Sequence, residues 1–179
     1  MTNAELAVLT LVAETPRHGY EIEQVIEERG MRDWTEIGFS SIYYLLKKLA
    51  KDDLIEGQTE QHVGPGPSRK VYRITAAGRQ AVHSGVIKAL STPQRAYPLL
   101  QLGLANLPGI RRSEALDSLR MYRDSLGDHL EYVRNNRDQK RPLPYFVEAM
   151  FSHSITLIEA ERQWIEEFLK QLEEIDDQD

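Results

Sequence analysis

The chain has 179 residues, 41% of them hydrophobic, with 28 Asp/Glu against 22 Lys/Arg and no cysteine. That length can bury a real core, in one large domain or two small ones, and the missing thiols exclude disulfides and thiolate metal sites while agreeing with a reducing compartment. The start, Met1-Thr-Asn-Ala-Glu-Leu6, lacks the basic region and apolar run of a secretory signal, and no segment nears the roughly 20 consecutive apolar residues of a membrane span, so a cytoplasmic protein is expected.

Leu6, Leu9, Val12 and Ala13 recur at helical spacing and predict a first helix, ended by Glu14-Thr-Pro16. Gly19 precedes a second helix with Ile22, Val25 and Ile26 as its buried stripe, stopped at Gly30. Thr35 to Gly38 reads as a connection, after which Ser40 or Ser41 is placed to cap a third helix. At about 100° per residue, Ile42, Leu45, Leu46 and Leu49 fall in one sector of that helix, which a core can bury. Ser40, Tyr44, Lys47 and Lys51 point the opposite way, with Tyr43 and Lys48 on the flanks and no carboxylate before Asp52. Beyond Leu54-Ile55, the polar run Glu56 to Val63 has strand character, Gly64-Pro-Gly-Pro67 is a turn, and Ser68 to Thr75 is a second strand. Tyr72 and Ile74 share one face of this strand, while Arg69, Val71 and Arg73 share the other. Tyr72 is read as a core residue, and Thr75 as the cap of a fourth helix.

From about Val82 the pattern is helical throughout. Ser91-Thr-Pro93 and Asn106-Leu-Pro-Gly109 break it around a short apolar segment, Tyr97 to Leu107. Ser113 to about Asp138 is predicted as a long amphipathic helix carrying Leu116, Leu119, Tyr122, Leu126, Leu130 and Val133 on one side. After the turn Arg141-Pro-Leu-Pro144, a last helix runs from Tyr145 to about Ile175, with Phe146, Met150, His153, Leu157, Ala160, Trp164, Phe168, Leu172 and Ile175 at helical spacing. A helix of that length spans roughly 45 Å. Two such helices with few local partners predict burial against a second subunit through Leu116, Leu119, Tyr122, Leu126, Leu157, Trp164, Phe168 and Leu172.

Charge is unevenly distributed along the chain. Residues 1–39 hold three Lys/Arg against eight Asp/Glu, residues 40–83 hold seven against four, and residues 84–179 hold twelve against sixteen. The one basic stretch therefore coincides with the third helix and the hairpin. Local sign governs phosphate affinity, and an acidic remainder limits non-specific attachment. A helix packed on one side and cationic on the other, opened by hydroxyl residues, suits a DNA groove. The candidate contacts are Ser40, Ser41, Tyr43, Tyr44, Lys47, Lys48 and Lys51, with Arg69 and Lys70 beside the rigid hairpin tip.

Taken together, Arg17-His-Gly-Tyr-Glu-Ile22, Ser41-Ile-Tyr43 followed by Leu46-Lys-Lys-Leu49, Asp53-Leu-Ile55, and Pro67-Ser-Arg-Lys-Val-Tyr-Arg-Ile-Thr-Ala-Ala-Gly78 resemble the PadR family of bacterial transcriptional regulators. The motifs stand in order over residues 1–80; the length and paired C-terminal helices resemble the larger subfamily with a Vir-type C-terminal domain. The resemblance implies a homodimer on double-stranded DNA. It puts Tyr43 near the DNA backbone and Arg69 and Lys70 in the neighbouring minor groove or on phosphates, with Tyr20 a weaker candidate. Tyr44 departs from the pattern, since many relatives have proline there, and the two tyrosines share or exchange the role.

The expected fold is mainly α with a small β-hairpin: a winged helix-turn-helix over residues 1–83 and an all-α dimerisation domain over residues 84–179. The expected function is that of a sequence-specific regulator, a repressor on a palindromic operator. Some relatives bind flat aromatic or phenolic molecules, which makes Tyr97, Met150, Trp164 and Phe168, with Trp34, candidate effector contacts; an ordinary core stripe is the alternative for them. No cofactor is expected, nor a metal, because none of the five histidines makes a His-x3-His pair. No catalytic constellation is present, and the proline-rich hairpin tip lacks the amide donors of a phosphate cradle, so an enzyme is not expected. A winged helix that docks another protein in a non-DNA assembly is the rival reading.

Overall fold

The computed structural model describes residues 1–35, 37–38, 41–60, 69–93 and 98–174, with Glu60 and Arg69 described by their backbone. The chain divides into two units, Met1–Arg95 and Ala96–Asp179. The boundary expected at 83/84 falls inside a helix: α4 (Ala76–Ser91) continues through it as one piece and packs against α1 (Asn3–Glu14).

Helix α1 starts at a capping box. The Glu5 N–H donates to Thr2 Oγ1 at 3.2 Å, and the Thr2 N–H donates to Glu5 Oε2 at 2.9 Å, so two otherwise orphaned amides are satisfied. The buried residues of α1 are Glu5, Ala7, Val8, Leu9, Leu11 and Val12, whereas Leu6 and Ala13 are half-buried. The single stripe expected from Leu6, Leu9, Val12 and Ala13 is thus displaced. Three helices and β3 (Arg69–Ile74) pack on α1, so apolar residues cover more of its circumference than one stripe.

The strand β1 (Arg17–His18) leads into α2 (Gly19–Glu28), which buries Ile22 and Ile26. Gly30, at φ 62°, turns the chain into a single 3-10 turn, Met31–Asp33, that buries Met31. Helix α3 (Ile42–Lys51) buries Ile42, Leu45, Leu46 and Leu49, the four positions its spacing predicts. It ends in a left-handed Asp53 at φ 57°. There the Asp53 N–H donates to the Ala50 carbonyl at 3.2 Å and the Leu54 N–H to the Leu49 carbonyl at 3.0 Å, the paired bonds that close a helix when one residue turns left-handed.

Strand β2 (Ile55–Glu60) then pairs antiparallel with β3, Ile55 opposite Ile74 and Gly57 opposite Tyr72. The other edge of β3 pairs with β1, so the sheet order is β1-β3-β2. The two residues of β1 carry no alternation that a sequence pattern reveals. The hairpin tip, 61–68, lies outside the described residues. Thr75 caps α4 as expected, accepting the Gly78 N–H at 2.9 Å and donating to the Asp53 carbonyl at 2.7 Å.

The second unit contains α5 (Leu99–Ala105), a 3-10 turn at Leu107–Gly109, and two long helices, α6 (Arg112–Gln139) and α7 (Tyr145–Glu174). These two form an antiparallel hairpin. Leu119, Ile165 and Leu169 are its buried centre, flanked by Leu100, Leu116, Tyr122, Leu126, Phe168 and Leu172. Polar groups fix the register: the Arg112 Nε donates to the Leu172 carbonyl at 2.8 Å, and the Tyr122 hydroxyl donates to Glu161 at 2.8 Å. Arg134 pairs with Glu159 farther along.

The α7 stripe expected from spacing needs correction. The buried residues of α7 are Ile155, Ile165 and Leu169, the last two packed on Leu119 of α6, while Phe146, Met150, His153, Leu157, Ala160 and Trp164 are exposed. His153, which its spacing puts on the expected stripe, is among them. Ile175 lies outside the described residues. Helix α7 therefore has two apolar faces, and α6 covers one.

Candidate nucleic-acid interface

The outward face of α3 is built by its inward one. With Ile42, Leu45, Leu46 and Leu49 anchored in the core, the intervening positions must project outward. Tyr43 is 55% exposed and Tyr44 67%. Lys47 and Lys51 are also exposed, and among the described residues neither pairs with a carboxylate. Lys51 stands in the last turn, where a cation complements the helix dipole. Ser41 is the N-cap residue, but its Oγ donates to the Gly38 carbonyl at 2.7 Å rather than accepting a helix amide. Ser40 lies outside the described residues.

Lys48 differs from its neighbours. Its Nζ donates to Glu5 Oε1 on α1, and Glu5 is the one buried polar side chain among the described residues. The Lys48 ammonium, first of all, holds the Glu5 carboxyl below the ordinary carboxylate range, helped by the Thr2 backbone. Glu14 is likewise lowered, chiefly by Arg29, whose two guanidinium nitrogens donate to it at 2.7 and 2.8 Å. That fork ties the end of α2 to the end of α1. Arg32 donates to the Ile37 carbonyl at 2.6 Å and steadies the approach to α3.

On the hairpin, Lys70 is exposed and its ammonium lies 5.6 Å from the centre of the Tyr72 ring, crossing the space that Gly57 leaves on the neighbouring strand. Tyr72 is buried in the core, and that burial raises its phenol above the usual value. The Arg69 side chain lies outside the described atoms. His18, at the N-cap of α2, stacks on Tyr20 with ring centres 5.7 Å apart, and its Nδ1 is 3.3 Å from the Lys70 carbonyl. His18 thereby joins the hairpin to α2, a link the sequence does not announce. Gly19 is a second such residue: its missing side chain leaves the seat on which the Tyr43 ring rests.

In the second unit, six of the eight residues expected at a subunit interface, Leu116, Leu119, Tyr122, Leu126, Phe168 and Leu172, line the seam between α6 and α7 of one chain. Leu157 and Trp164 lie outside it, 57% and 44% exposed. Of the effector candidates, Trp164 and Phe168 stack with ring centres 5.2 Å apart, Met150 is exposed nearer the start of α7, and Tyr97 is outside the described residues. A groove on the hairpin is lined by Leu130, Arg134, Glu159, Arg162, Gln163 and Glu166 and includes none of them. Trp34, in the first unit, is exposed ahead of α3.

Three helices, a three-stranded antiparallel sheet with a two-residue first strand, and a helix with one core face and one cationic face define a winged helix-turn-helix protein with a helical C-terminal region. A model of the transcriptional regulator PadR-like family matches residues 8–84. An uncharacterized protein of Lysinibacillus sphaericus is 33% identical over 97 residues, 54% of this chain and 86% of that one. The chain belongs to the PadR-like family of transcriptional regulators. Among solved structures, Bacillus subtilis PadR in complex with operator DNA matches with a TM-score of 0.75 at 21% identity, over 94% of this chain and 98% of that one. The same Bacillus subtilis protein in complex with p-coumaric acid gives 0.78 at 20%, over 95% and 98%. A PadR-like regulator from Bacillus cereus gives 0.61 at 18%, over 96% and 97%. At such identities these likenesses establish the fold of both units.

Proposed function

We propose that this chain is a sequence-specific DNA-binding repressor that acts as a homodimer on a palindromic operator. The observation that carries the reading is the division of α3 into a fully buried apolar face and an exposed face of two tyrosines and two lysines without carboxylate partners among the described residues. Family membership supports it, as does the fold shared with a regulator solved on operator DNA. In this reading the outward face of α3 enters a major groove, Lys47 and Lys51 neutralise phosphates, and the hydroxyls of Ser40, Ser41, Tyr43 and Tyr44 donate to phosphate or base edges. Arg69 and Lys70 reach the flanking backbone, Lys70 by swinging off the Tyr72 ring. Two copies read half-sites about 34 Å apart. No described helix is long and apolar enough to cross a membrane, which agrees with cytoplasmic action.

The test is a titration of labelled duplex, taken from upstream of the chain's own gene, at several salt concentrations. Each phosphate contact contributes about 0.9 to the slope of log affinity against log salt, so Arg69→Ala with Lys70→Ala lowers the slope by roughly two per wing. An unchanged slope rejects the wing assignment, and no affinity for any duplex at low salt rejects the DNA reading. Release by an aromatic or phenolic effector at Met150, Trp164 and Phe168, with Tyr97, is a further part of the proposal. It is supported by the shared fold with a protein solved with p-coumaric acid. Adding p-coumarate to the same titration tests it: an effector must favour one of two conformations, typically by about 1–3 kcal/mol of coupling, and so weaken DNA affinity.

A further inference from the structure

We propose that Glu5 withdraws Lys48 from the phosphate-contacting set, so that α3 meets DNA with Lys47 and Lys51 as its cations and non-specific affinity is held down. This rests on the reading of α3 as the DNA-facing helix. Four observations converge on it. Glu5 is 6% exposed and the one buried polar side chain among the described residues. Both of its carboxylate oxygens are engaged, Oε2 by the Thr2 amide that opens α1 and Oε1 by Lys48. Lys48 sits in the last turn of α3, on the flank of the face that carries Lys47 and Lys51. Those two lysines form no ion pair with a carboxylate among the described residues, whereas Lys48 does.

The asymmetry matters because a lysine can leave a solvated partner at little cost, but leaving Glu5 strands a buried carboxylate. Lys48 therefore stays with α1 while its neighbours exchange counterions for phosphate. Asp52 also lies close enough to act on the Lys48 charge, which reinforces the withdrawal. The arrangement is a positioning device: α1 sets how many cations the adjacent helix offers. It removes a sequence-independent contribution to binding and leaves the other contacts of the α3 face untouched, which raises the ratio of operator to random-duplex affinity.

Glu5→Gln is the informative variant, because glutamine at this position preserves the capping box while discarding the charge. Salt titrations are run on an operator duplex and a random duplex with the unsubstituted chain, Glu5→Gln, Lys48→Gln and Lys47→Gln, each checked for native helicity. The expected result is that Glu5→Gln tightens random-duplex binding and steepens the slope by about 0.9 per chain. Lys48→Gln leaves the slope of the parent unchanged, whereas Lys47→Gln flattens it by about 0.9. A merely structural tie would lower thermal stability in Glu5→Gln without moving the slope, and that outcome overturns the inference. So does a Lys48→Gln slope as shallow as that of Lys47→Gln, a comparison that decides the matter even if Glu5→Gln fails to fold. Should the parent chain bind no duplex at all, the DNA reading falls first and this inference with it; salt-dependent binding by the parent with either adverse slope sinks the inference alone.

Discussion

Tyr43 owes its position to a residue on another helix. A Cβ at Gly19 would lie 2.7 Å from Tyr43 Cε1, closer than packed carbons approach, so the phenol ring rests directly on the start of α2. The seat fixes where the hydroxyl points while leaving the ring half in solvent. The Gly19 backbone is not left-handed, so alanine adds no backbone strain there, and its cost is the displaced ring. Gly19→Ala is accordingly expected to keep the fold and weaken operator affinity by about 1.5 kcal/mol, roughly tenfold, the usual size of a hydrogen bond to a charged group. Tyr43→Phe should lose a similar amount. The two changes combined should lose little more than either alone, since one acts through the other. Additive losses in that cycle, read by anisotropy titration, would show that Gly19 does not work through the phenol.

At the scale of elements, the hairpin, α3 and α4 are locked by one close approach. A Cβ at Gly78 would fall 2.0 Å from the Leu54 carbonyl oxygen and 2.8 Å from Ile74 Cγ1, and the first obstacle is backbone, which cannot rotate aside. Gly78→Ala should destabilise the first unit by about 1–3 kcal/mol, seen as a lower urea midpoint at unchanged slope. Elements differ in how legible they are for a physical reason. Helix α3 packs on one side only, so its period alone identifies Ile42, Leu45, Leu46 and Leu49 as core and the tyrosines and lysines as outward. Helix α1 is covered on several sides and loses that contrast. In α7 both faces are apolar: the run through Met150, Leu157 and Trp164 is the more regular, yet Ile165 and Leu169 meet α6. Periodicity finds amphipathic faces but does not say which partner each one meets. The pairing of Lys48 with Glu5, and the seat at Gly19, join residues far apart in sequence and had no local signal.

For the whole molecule, the uncovered face of α7 is the feature that a lone chain leaves unexplained. Phe146, Met150, His153, Leu157, Ala160 and Trp164 alternate at three and four residues, the spacing of a seam that a second helix fills. A monomer rarely exposes so continuous an apolar strip. Charge opposes bringing two copies together, since each carries a net −6, so the proposed homodimer needs apolar contact of this kind to form. Met150, Leu157 and Trp164 occupy equivalent positions seven residues apart, which places Leu157 at the centre of the strip. Because Leu157 is exposed within its own chain, Leu157→Arg should leave the α6–α7 hairpin folded. It should also cost the dimer at least about 2 kcal/mol, roughly thirtyfold in Kd, as a buried anchor at an interface does. Light scattering across a dilution series reads this directly, with circular dichroism as the check on folding. A variant that stays dimeric at the parent's concentrations would assign the interface to another surface. A monomer that keeps its affinity for a single half-site but loses the full operator would tie the α7 strip to palindromic recognition, because only joined copies gain from binding two half-sites at once.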